Sequence, residues 1–144
     1  MKRSIIFFML GELLLLCSGC EKKELECVKV EESSKVKITQ TIKVTFSKEK
    51  INVYKNHLIF DITDDKGNYK DLLYTELEKN FKEYTNKNGI NYIIKKENKQ
   101  IMINIEAEIA KLTTDEKEVL GFEDENGNYK ETRKALEENN YSCK

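Results

Sequence analysis

The sequence has few of the residue types on which most recognisable active sites depend. It contains no proline and no tryptophan, one histidine, and a single arginine, Arg133, after residue 3. One histidine excludes a metal site built on several imidazoles, and it leaves a serine or cysteine nucleophile with one possible base. The scarcity of arginine argues against recognition of phosphate or carboxylate groups by guanidinium forks.

Charge is abundant but almost balanced. The 144 residues carry 25 basic and 26 acidic side chains, for a net charge of −1. This balance favours neither a nucleic-acid-binding protein nor an acidic tail, and the charged side chains are interpreted as solvating a protein surface. Neither a glycine-rich phosphate loop nor a G-x-S-x-G nucleophile motif occurs, so no cofactor is predicted.

The amino terminus has the pattern of an export signal. Lys2 and Arg3 precede an apolar run that is interrupted at Gly11 and Glu12 and is followed by small residues and a cysteine. A run of about a dozen apolar residues is shorter than the ~20 that a membrane-spanning helix needs. A removable signal is therefore predicted over residues 1–19.

Cys20 ends the stretch Leu16-Cys17-Ser18-Gly19-Cys20 and resembles the acylated cysteine of bacterial lipoprotein precursors. The resemblance implies that Cys20 receives diacylglyceryl and palmitate chains, which anchor the protein on the extracytoplasmic face of the cell membrane. We expect residues 20–26 to form a lipidated tether and residues 27–144 to form a single extracytoplasmic domain. An ordinary secretory signal, which would leave Cys20 as a free thiol, is the alternative.

Cys27 and Cys143 are the two cysteines that remain for the folded domain. Outside the cytoplasmic membrane a disulfide persists, and this one would close a loop of over 100 residues, for up to about 4.7 kcal/mol of stabilisation on the chain-entropy model. A catalytic thiol and a metal pair are the alternatives, but neither cysteine has a C-x-x-C partner or a nearby histidine. We predict that the two cysteines are joined.

Alternating hydrophobicity predicts two β-hairpins. The first pairs residues 35–46 with residues 51–63, and a bulge is expected near Lys55–His57 because the apolar phase changes along the second strand. The second hairpin pairs residues 90–94 with residues 101–109. Cys27–Glu31 is expected to add a strand at the edge of the sheet.

Apolar residues at helical spacing predict a helix after each hairpin. The first helix has a start signal at Asn68 and Asp71 and ends before Gly89, and the second runs from about Tyr129 to Asn139. A brief helical turn is expected at residues 115–120. The expected fold class is α+β, with an antiparallel sheet of about 4–5 strands and two helices packed on one face.

The two predicted helices are preceded by nearly the same sequence. These segments are Asp64-Asp65-Lys66-Gly67-Asn68-Tyr69-Lys70-Asp71 and Asp124-Glu125-Asn126-Gly127-Asn128-Tyr129-Lys130-Glu131. The match is consistent with a duplicated strand-strand-helix unit, and equally with a favourable glycine turn and asparagine cap used twice.

Asp124, Asn126 and Asn128 have the spacing with which an EF-hand calcium loop begins. Such a loop needs glycine at its sixth position and glutamate at its twelfth, where this sequence has Tyr129 and Ala135. Asp64, Lys66 and Asn68 occupy the parallel places, with lysine at the third position. Helix capping explains both segments better, so no metal site is predicted.

Two carboxylates and the single histidine are the remaining candidates for chemistry. Glu106 and Glu108 lie on the same face of one strand, about 7 Å apart, a spacing that a glycosidase could use. His57 lies on a predicted strand between Asn56 and Leu58. All three are interpreted as solvent-facing residues, and no catalytic residue is predicted.

The layout as a whole resembles small lipoproteins of Gram-positive bacteria. A lipobox, a cysteine soon after it, two hairpin-helix units and the ending Leu136-Glu137-Glu138-Asn139-Asn140-Tyr141-Ser142-Cys143-Lys144 are similar in plan to the YehR-like group. That resemblance implies an α+β fold and no assigned activity.

The sequence leaves three functional hypotheses open. The first is a cell-envelope binding or interaction module with an unknown protein or small-molecule partner. The second is a structural or protective envelope protein without a ligand, and the third is an envelope hydrolase, in which Glu106, Glu108 or His57 would converge in a cleft. A deep apolar pocket between helix and sheet favours the first hypothesis, whereas a filled core with a flat polar sheet face favours the second.

Overall fold

The computed structural model describes residues 22–121 and 127–144. The predicted signal, Cys20, and the positions Asp124 and Asn126 of the calcium-like segment lie outside the described residues. Within the described residues the chain forms one six-stranded antiparallel sheet with three α-helices. The predicted α+β class is confirmed, although the sheet has more strands and the domain more helices than expected.

The elements follow one another along the chain as two hairpins, each continued by helical structure. The strands are β1 (Lys22–Glu32), β2 (Val36–Ser47), β3 (Lys50–Ile62), β4 (Ile90–Lys96), β5 (Gln100–Glu108) and β6 (Ser142–Cys143). The α-helices are α1 (Tyr69–Asn80), α2 (Thr114–Val119) and α3 (Tyr129–Glu138), with single 3-10 turns at Lys82–Tyr84 and Ile109–Lys111.

The strand order across the sheet is β4-β5-β3-β2-β1-β6, and every neighbouring pair is antiparallel. The second strands of the two hairpins, β3 and β5, therefore lie side by side in the middle. Alternate residues of each strand point to the face that the helices cover, and the intervening residues form an outer face of lysine, threonine, asparagine and glutamate side chains.

The bulge in β3 is at Asn52, so its predicted position near Lys55–His57 is wrong. Phe46 of β2 pairs with Ile51, but Thr45 pairs with Val53, which leaves Asn52 as the extra residue. The extra residue changes the phase of the strand next to the turn, so that both Ile51 and Tyr54 pack against the hydrophobic core. Hydrophobic alternation did not locate the bulge because the inward position nearest to it is occupied by Tyr54 and not by an aliphatic residue.

β1 begins at Lys22, so most of the segment expected to be a tether belongs to the sheet. Lys22–Glu26 pairs with Lys43–Ser47 of β2, and Leu25 is 1% exposed. This charged sequence forms a strand because it pairs with β2 along its length and buries Leu25, while Lys22, Lys23 and Glu24 stay exposed. The folded domain therefore extends to within two residues of Cys20.

Two hydrophobic clusters fill the space between the sheet and the helices. The α1 cluster contains Val36, Leu58, Phe60, Ile62, Leu77, Ile90, Ile101, Ile103, Ile105, Ala107, Ile109 and Leu112. The α3 cluster contains Leu25, Cys27, Ile42, Val44 and Phe46, against which Tyr129 and Leu136 of α3 pack. Ile51 and Tyr54 pack against both clusters and so mark the boundary between them.

The two similar helix starts have different local structures. Asn68 precedes α1 with φ of 58° and makes no side-chain cap, and the backbone N–H of Lys70 instead donates to Asp65 Oδ1 at 2.7 Å. Asn128 precedes α3 with φ of −78°, and its Oδ1 accepts from the backbone N–H of Glu131 at 3.0 Å. Asparagine capping, expected at both starts, is therefore confirmed at α3 and wrong at α1.

Cys27 and Cys143 form a disulfide, as predicted. They lie directly opposite each other on β1 and β6, and the next backbone N–H, of Lys144, donates to the carbonyl of Glu26 at 2.9 Å. The bridge ties a strand of only two residues to the edge of the sheet, with 116 positions of chain between the cysteines.

Candidate functional site

A cavity of about 470 Å³ lies between α3 and the inner face of the sheet. Its floor is formed by β2 and β3, and its sides by α3 and the residues that follow α2. The lining residues are Ile42, Val44, Ile51, Tyr54, Leu120, Gly121, Gly127, Glu131, Thr132, Ala135 and Leu136. Most of this surface is aliphatic, which is the usual lining of a small-molecule site in a protein.

Helix α3 covers the α3 cluster with one face and borders the cavity with part of it. Tyr129 contacts the ring of Phe46 edge-on at 5.5 Å between centroids, and this contact holds the start of the helix against β2. Ala135 contributes only a methyl group to the cavity wall. Ala135 is exposed as well as part of the lining, so a larger side chain at this position would obstruct access to the cavity.

A chain of hydrogen bonds runs from the carboxyl-terminal segment to the cavity. The hydroxyl of Tyr141 donates to Gln40 Oε1 at 2.7 Å, and Gln40 Nε2 donates to Asn56 Oδ1 at 3.1 Å. The side chain of Asn56 in turn hydrogen-bonds to the hydroxyl of Tyr54, which lines the cavity. Gln40 and Asn56 are thus partnered polar groups on the inner face of the sheet.

The electrostatics of the site keep the Tyr54 hydroxyl protonated. Burial raises its pKa well above the ordinary value of 10.0, and the neighbouring hydroxyls of Tyr141 and Tyr84 raise it further, against the opposing effect of the Asn56 hydrogen bond. Tyr54 therefore presents a neutral hydroxyl beside the aliphatic floor of the cavity.

Sequence reasoning did not identify the cavity or the residues of the hydrogen-bond chain. One signal was available, because Gln40 interrupts the apolar positions between Ile38 and Ile42, and Asn56 stands in phase with Leu58. A polar residue at a position that faces the core usually has a buried partner. The partner Tyr141 lies 101 positions away from Gln40, and only the fold brings the two together.

The outer face of the sheet brings together two of the residues considered for catalysis. His57 and Glu106 line a depression of about 500 Å³. The Nδ1 of His57 is hydrogen-bonded to Asn104 Oδ1, and Glu106 pairs with Lys55 at 2.9 Å. These polar groups satisfy one another across the strands.

Glu108 does not line the depression and forms a separate ion pair with Lys111 at 2.8 Å. Each of the two glutamates that share this face therefore has its own lysine partner. Such exposed pairs contribute about 0–1 kcal/mol and are typical of a solvated surface. Glu106 and Glu108 therefore do not face a common cleft as a pair.

Metal-binding clusters and membrane-spanning helices are both absent from the part of the chain that the structure describes. Residues 22–121 and 127–144 contain no group of three or more histidine, cysteine, aspartate or glutamate side chains that could hold a metal ion. None of the helices in the same part of the chain is long and apolar enough to span a bilayer.

Comparisons with known proteins assign this chain to no family. The sequence matches no family model, and no curated protein is significantly similar to it. A protein from Streptococcus pneumoniae TIGR4, whose structure was determined by NMR, is similar with a TM-score of 0.41 and 13% sequence identity. The similarity covers 81% of this chain and 78% of the other.

Proposed function

We propose that this chain is a lipid-anchored extracytoplasmic binding module of the cell envelope, and that its ligand occupies the cavity between α3 and the sheet. The observation that supports the proposal is the cavity itself, which is aliphatic on its floor and sides and has the neutral hydroxyl of Tyr54 beside them. Its volume of about 470 Å³ lies within the range of about 300–1,000 Å³ that small-molecule sites occupy.

The cavity is a better candidate than the outer depression because of what each surface offers a ligand. Aliphatic walls gain about 25 cal/mol for each Å² of apolar surface that a ligand removes from water. The outer depression has a similar volume, but its polar groups already bond to one another, as the Lys55–Glu106 and His57–Asn104 pairs illustrate. A ligand there would have to replace contacts that exist already.

The experiment for the cavity uses the mature chain, residues 20–144, with Cys20→Ser so that no lipid is attached. We expect a neutral fluorescent probe, N-phenyl-1-naphthylamine, to bind with enhanced emission, and Ala135→Phe to weaken its binding at least tenfold by obstructing the cavity. Lys134→Phe adds the same side chain to the neighbouring position, which does not line the cavity, and is the matched control. Equal probe binding by both variants, or no binding by the parent, would support the structural envelope protein instead.

The proposed anchor agrees with the position at which the fold begins. If Cys20 is acylated, the start of β1 at Lys22 lies at most about 7 Å from the anchored residue, since an extended chain spans up to ~3.5 Å per residue. Lys22 pairs with Ser47, so the β2–β3 turn would also lie beside the membrane. The opposite end of the sheet would point away from it.

The anchor is tested separately from the cavity. We expect Cys20→Ser in the full-length chain to prevent processing to the mature form and to remove labelling by radioactive palmitate. Cys17→Ser, three residues earlier, is the control and should leave both unchanged. If the Cys20→Ser protein is processed and fractionates with membranes as the parent does, the lipoprotein hypothesis is wrong.

We also infer that the two hairpin-helix units arose by duplication and that the chain is related to YehR-like lipoproteins. The pairing of β3 with β5, each the second strand of its hairpin, supports the duplication. Alignment of the two halves across a set of relatives would test it, because a duplicated unit predicts matches at positions other than the helix starts.

A further inference from the structure

The cavity lining carries negative charge and no positive charge among the described residues. Among the described residues, Glu131 is the single charged residue of the lining, and Thr132 and Tyr54 contribute neutral hydroxyls. No lysine or arginine belongs to the lining as the described residues define it. An anionic ligand would therefore meet a carboxylate and no compensating cation.

The basic residues of α3 have other positions on the helix. Arg133 donates from Nε to Glu137 Oε1 at 2.8 Å and from Nη2 to the carbonyl of Cys143 at 3.5 Å. Lys134 lies 3.8 Å from Glu138 and is largely exposed. None of the three basic residues of α3, Lys130, Arg133 and Lys134, lines the cavity, so among the described residues Glu131 is the one charged side chain that does.

The aliphatic floor sets the other requirement on the ligand. Ile42, Val44 and Ile51 offer a ligand no hydrogen-bonding side chain, so the part that lies over them must be apolar. Glu131 is exposed and stands at the rim, where a polar head would reach both the carboxylate and water. A ligand that satisfies both regions has an apolar body and a polar end.

We propose that the cavity takes a small amphiphile whose head is cationic or uncharged, and that it discriminates against fatty acids and other anionic amphiphiles through Glu131. This inference rests on the proposed binding function and names the ligand class for the same site. Val44 pairs with Tyr54, and three residues of strand separate Val44 from the β2–β3 turn. At about 3.3 Å per residue this is a distance of about 10 Å. The cavity is therefore in the half of the domain that the proposed anchor would hold at the membrane, where amphiphiles concentrate.

The experiment compares three ligands with the same ten-carbon chain: decylamine, decanol and decanoate. Each is titrated below its micellar concentration, at pH 7.5 and low salt, against N-phenyl-1-naphthylamine bound to residues 20–144 with Cys20→Ser. We expect decylamine and decanol to displace the probe, and decanoate to bind about tenfold more weakly than decylamine. The difference follows from attraction or repulsion between the head group and the Glu131 carboxylate at about 4 Å in a largely aqueous environment.

Variants of Glu131 assign the preference to its carboxylate. Glu131→Gln should make decylamine and decanoate bind within about twofold of each other while decanol is unaffected, and Glu131→Lys should reverse the preference. Glu138→Gln removes a carboxylate from an α3 position that does not line the cavity, and it should leave the preference as it is.

The outcomes separate the two proposals. If decanoate binds as tightly as decylamine, or if Glu131→Gln leaves the preference unchanged, the assignment of ligand class is overturned although the cavity still binds ligands. If decanol does not displace the probe and Ala135→Phe has no effect on probe binding, the proposed binding function fails and the ligand class fails with it.

Discussion

Loss of the Cys27–Cys143 disulfide is expected to cost this domain a large share of its stability. The bridge closes a loop of 116 positions, for which the chain-entropy model gives about 5 kcal/mol of stabilisation relative to the reduced chain. Domains of this size are stable by about 5–15 kcal/mol in total. The alanine double variant Cys27→Ala, Cys143→Ala should therefore be only marginally folded, or largely unfolded, at 37 °C.

The structure also predicts which part of the domain is released first. β6 has two residues and is otherwise held by the Lys144 N–H bond to Glu26 and by the contacts of Tyr141 and Arg133. Strand pairing over two residues cannot offset the conformational entropy of the segment without the covalent link. Hydrogen exchange at Cys143 and Lys144 should therefore accelerate on reduction before the central strands are affected.

Equilibrium unfolding in urea measures the effect. With a slope of about 2 kcal/mol per molar, a loss of 5 kcal/mol lowers the midpoint by about 2.5 M. The measurement compares the oxidised chain, the chain in reductant and the alanine double variant, each as residues 20–144 with Cys20→Ser. The reduced chain and the double variant should agree, and reductant should have no effect on the variant.

The result that would refute this reasoning is an unchanged midpoint. If oxidised and reduced chains unfold within about 0.3 M urea of each other, the reduced state either keeps the two ends together or gains little entropy when it unfolds. A fall in midpoint seen in the alanine variant but not in the reduced chain would assign the loss to packing at Cys27, which is fully buried.

Two further predictions concern stability at other sites. Glu49 in the β2–β3 turn has φ of 63°, so Glu49→Gly should raise the free energy of unfolding by about 1 kcal/mol in urea titrations, whereas Lys99→Gly in the other hairpin turn should not. Backbone N–H groups, chiefly that of Thr113 and also that of Gly89, hold the pKa of the Glu116 carboxyl below its ordinary value of 4.5. Its contribution is therefore present above about pH 4.5 and is lost as the pH falls through the folded-state pKa. In acid unfolding followed by circular dichroism, Glu116→Gln should be less stable than the parent near neutral pH, and this difference should shrink below pH 4.5. A difference that stays constant across that range would exclude the carboxylate as its source.

Secondary structure was predictable here wherever hydrophobic periodicity and burial agree. The second strand of the second hairpin, β5, alternates without interruption, and its four inward residues from Ile101 to Ala107 are all buried. The expected start of α3 at Tyr129 and the pairing of Cys27 with Cys143 also match the structure. These features depend on local pattern or on elimination among few cysteines.

The predictions failed where the neighbours of a residue decide its role. The Lys22–Glu26 segment looks like a solvated tether because four of its five residues are charged, and it becomes a strand only by pairing with Lys43–Ser47 at the far end of β2. The bulge at Asn52 depends on the pairing of Phe46 with Ile51 and of Thr45 with Val53. Neither pairing has a signature in the chain itself.

The sequence by itself determined the fold class and the pair of cysteines available for a bridge, and it supports the hypothesis of an export signal. Each of these depends on residue type and spacing along the chain. Only the tertiary structure decided that a space remains between α3 and the sheet. A cavity is the space that side chains leave unfilled between packed elements. No local sequence pattern records how much space is left. The alanine at position 135 and the polar pair Gln40 and Asn56 acquire their meaning only when α3 lies over β2 and β3.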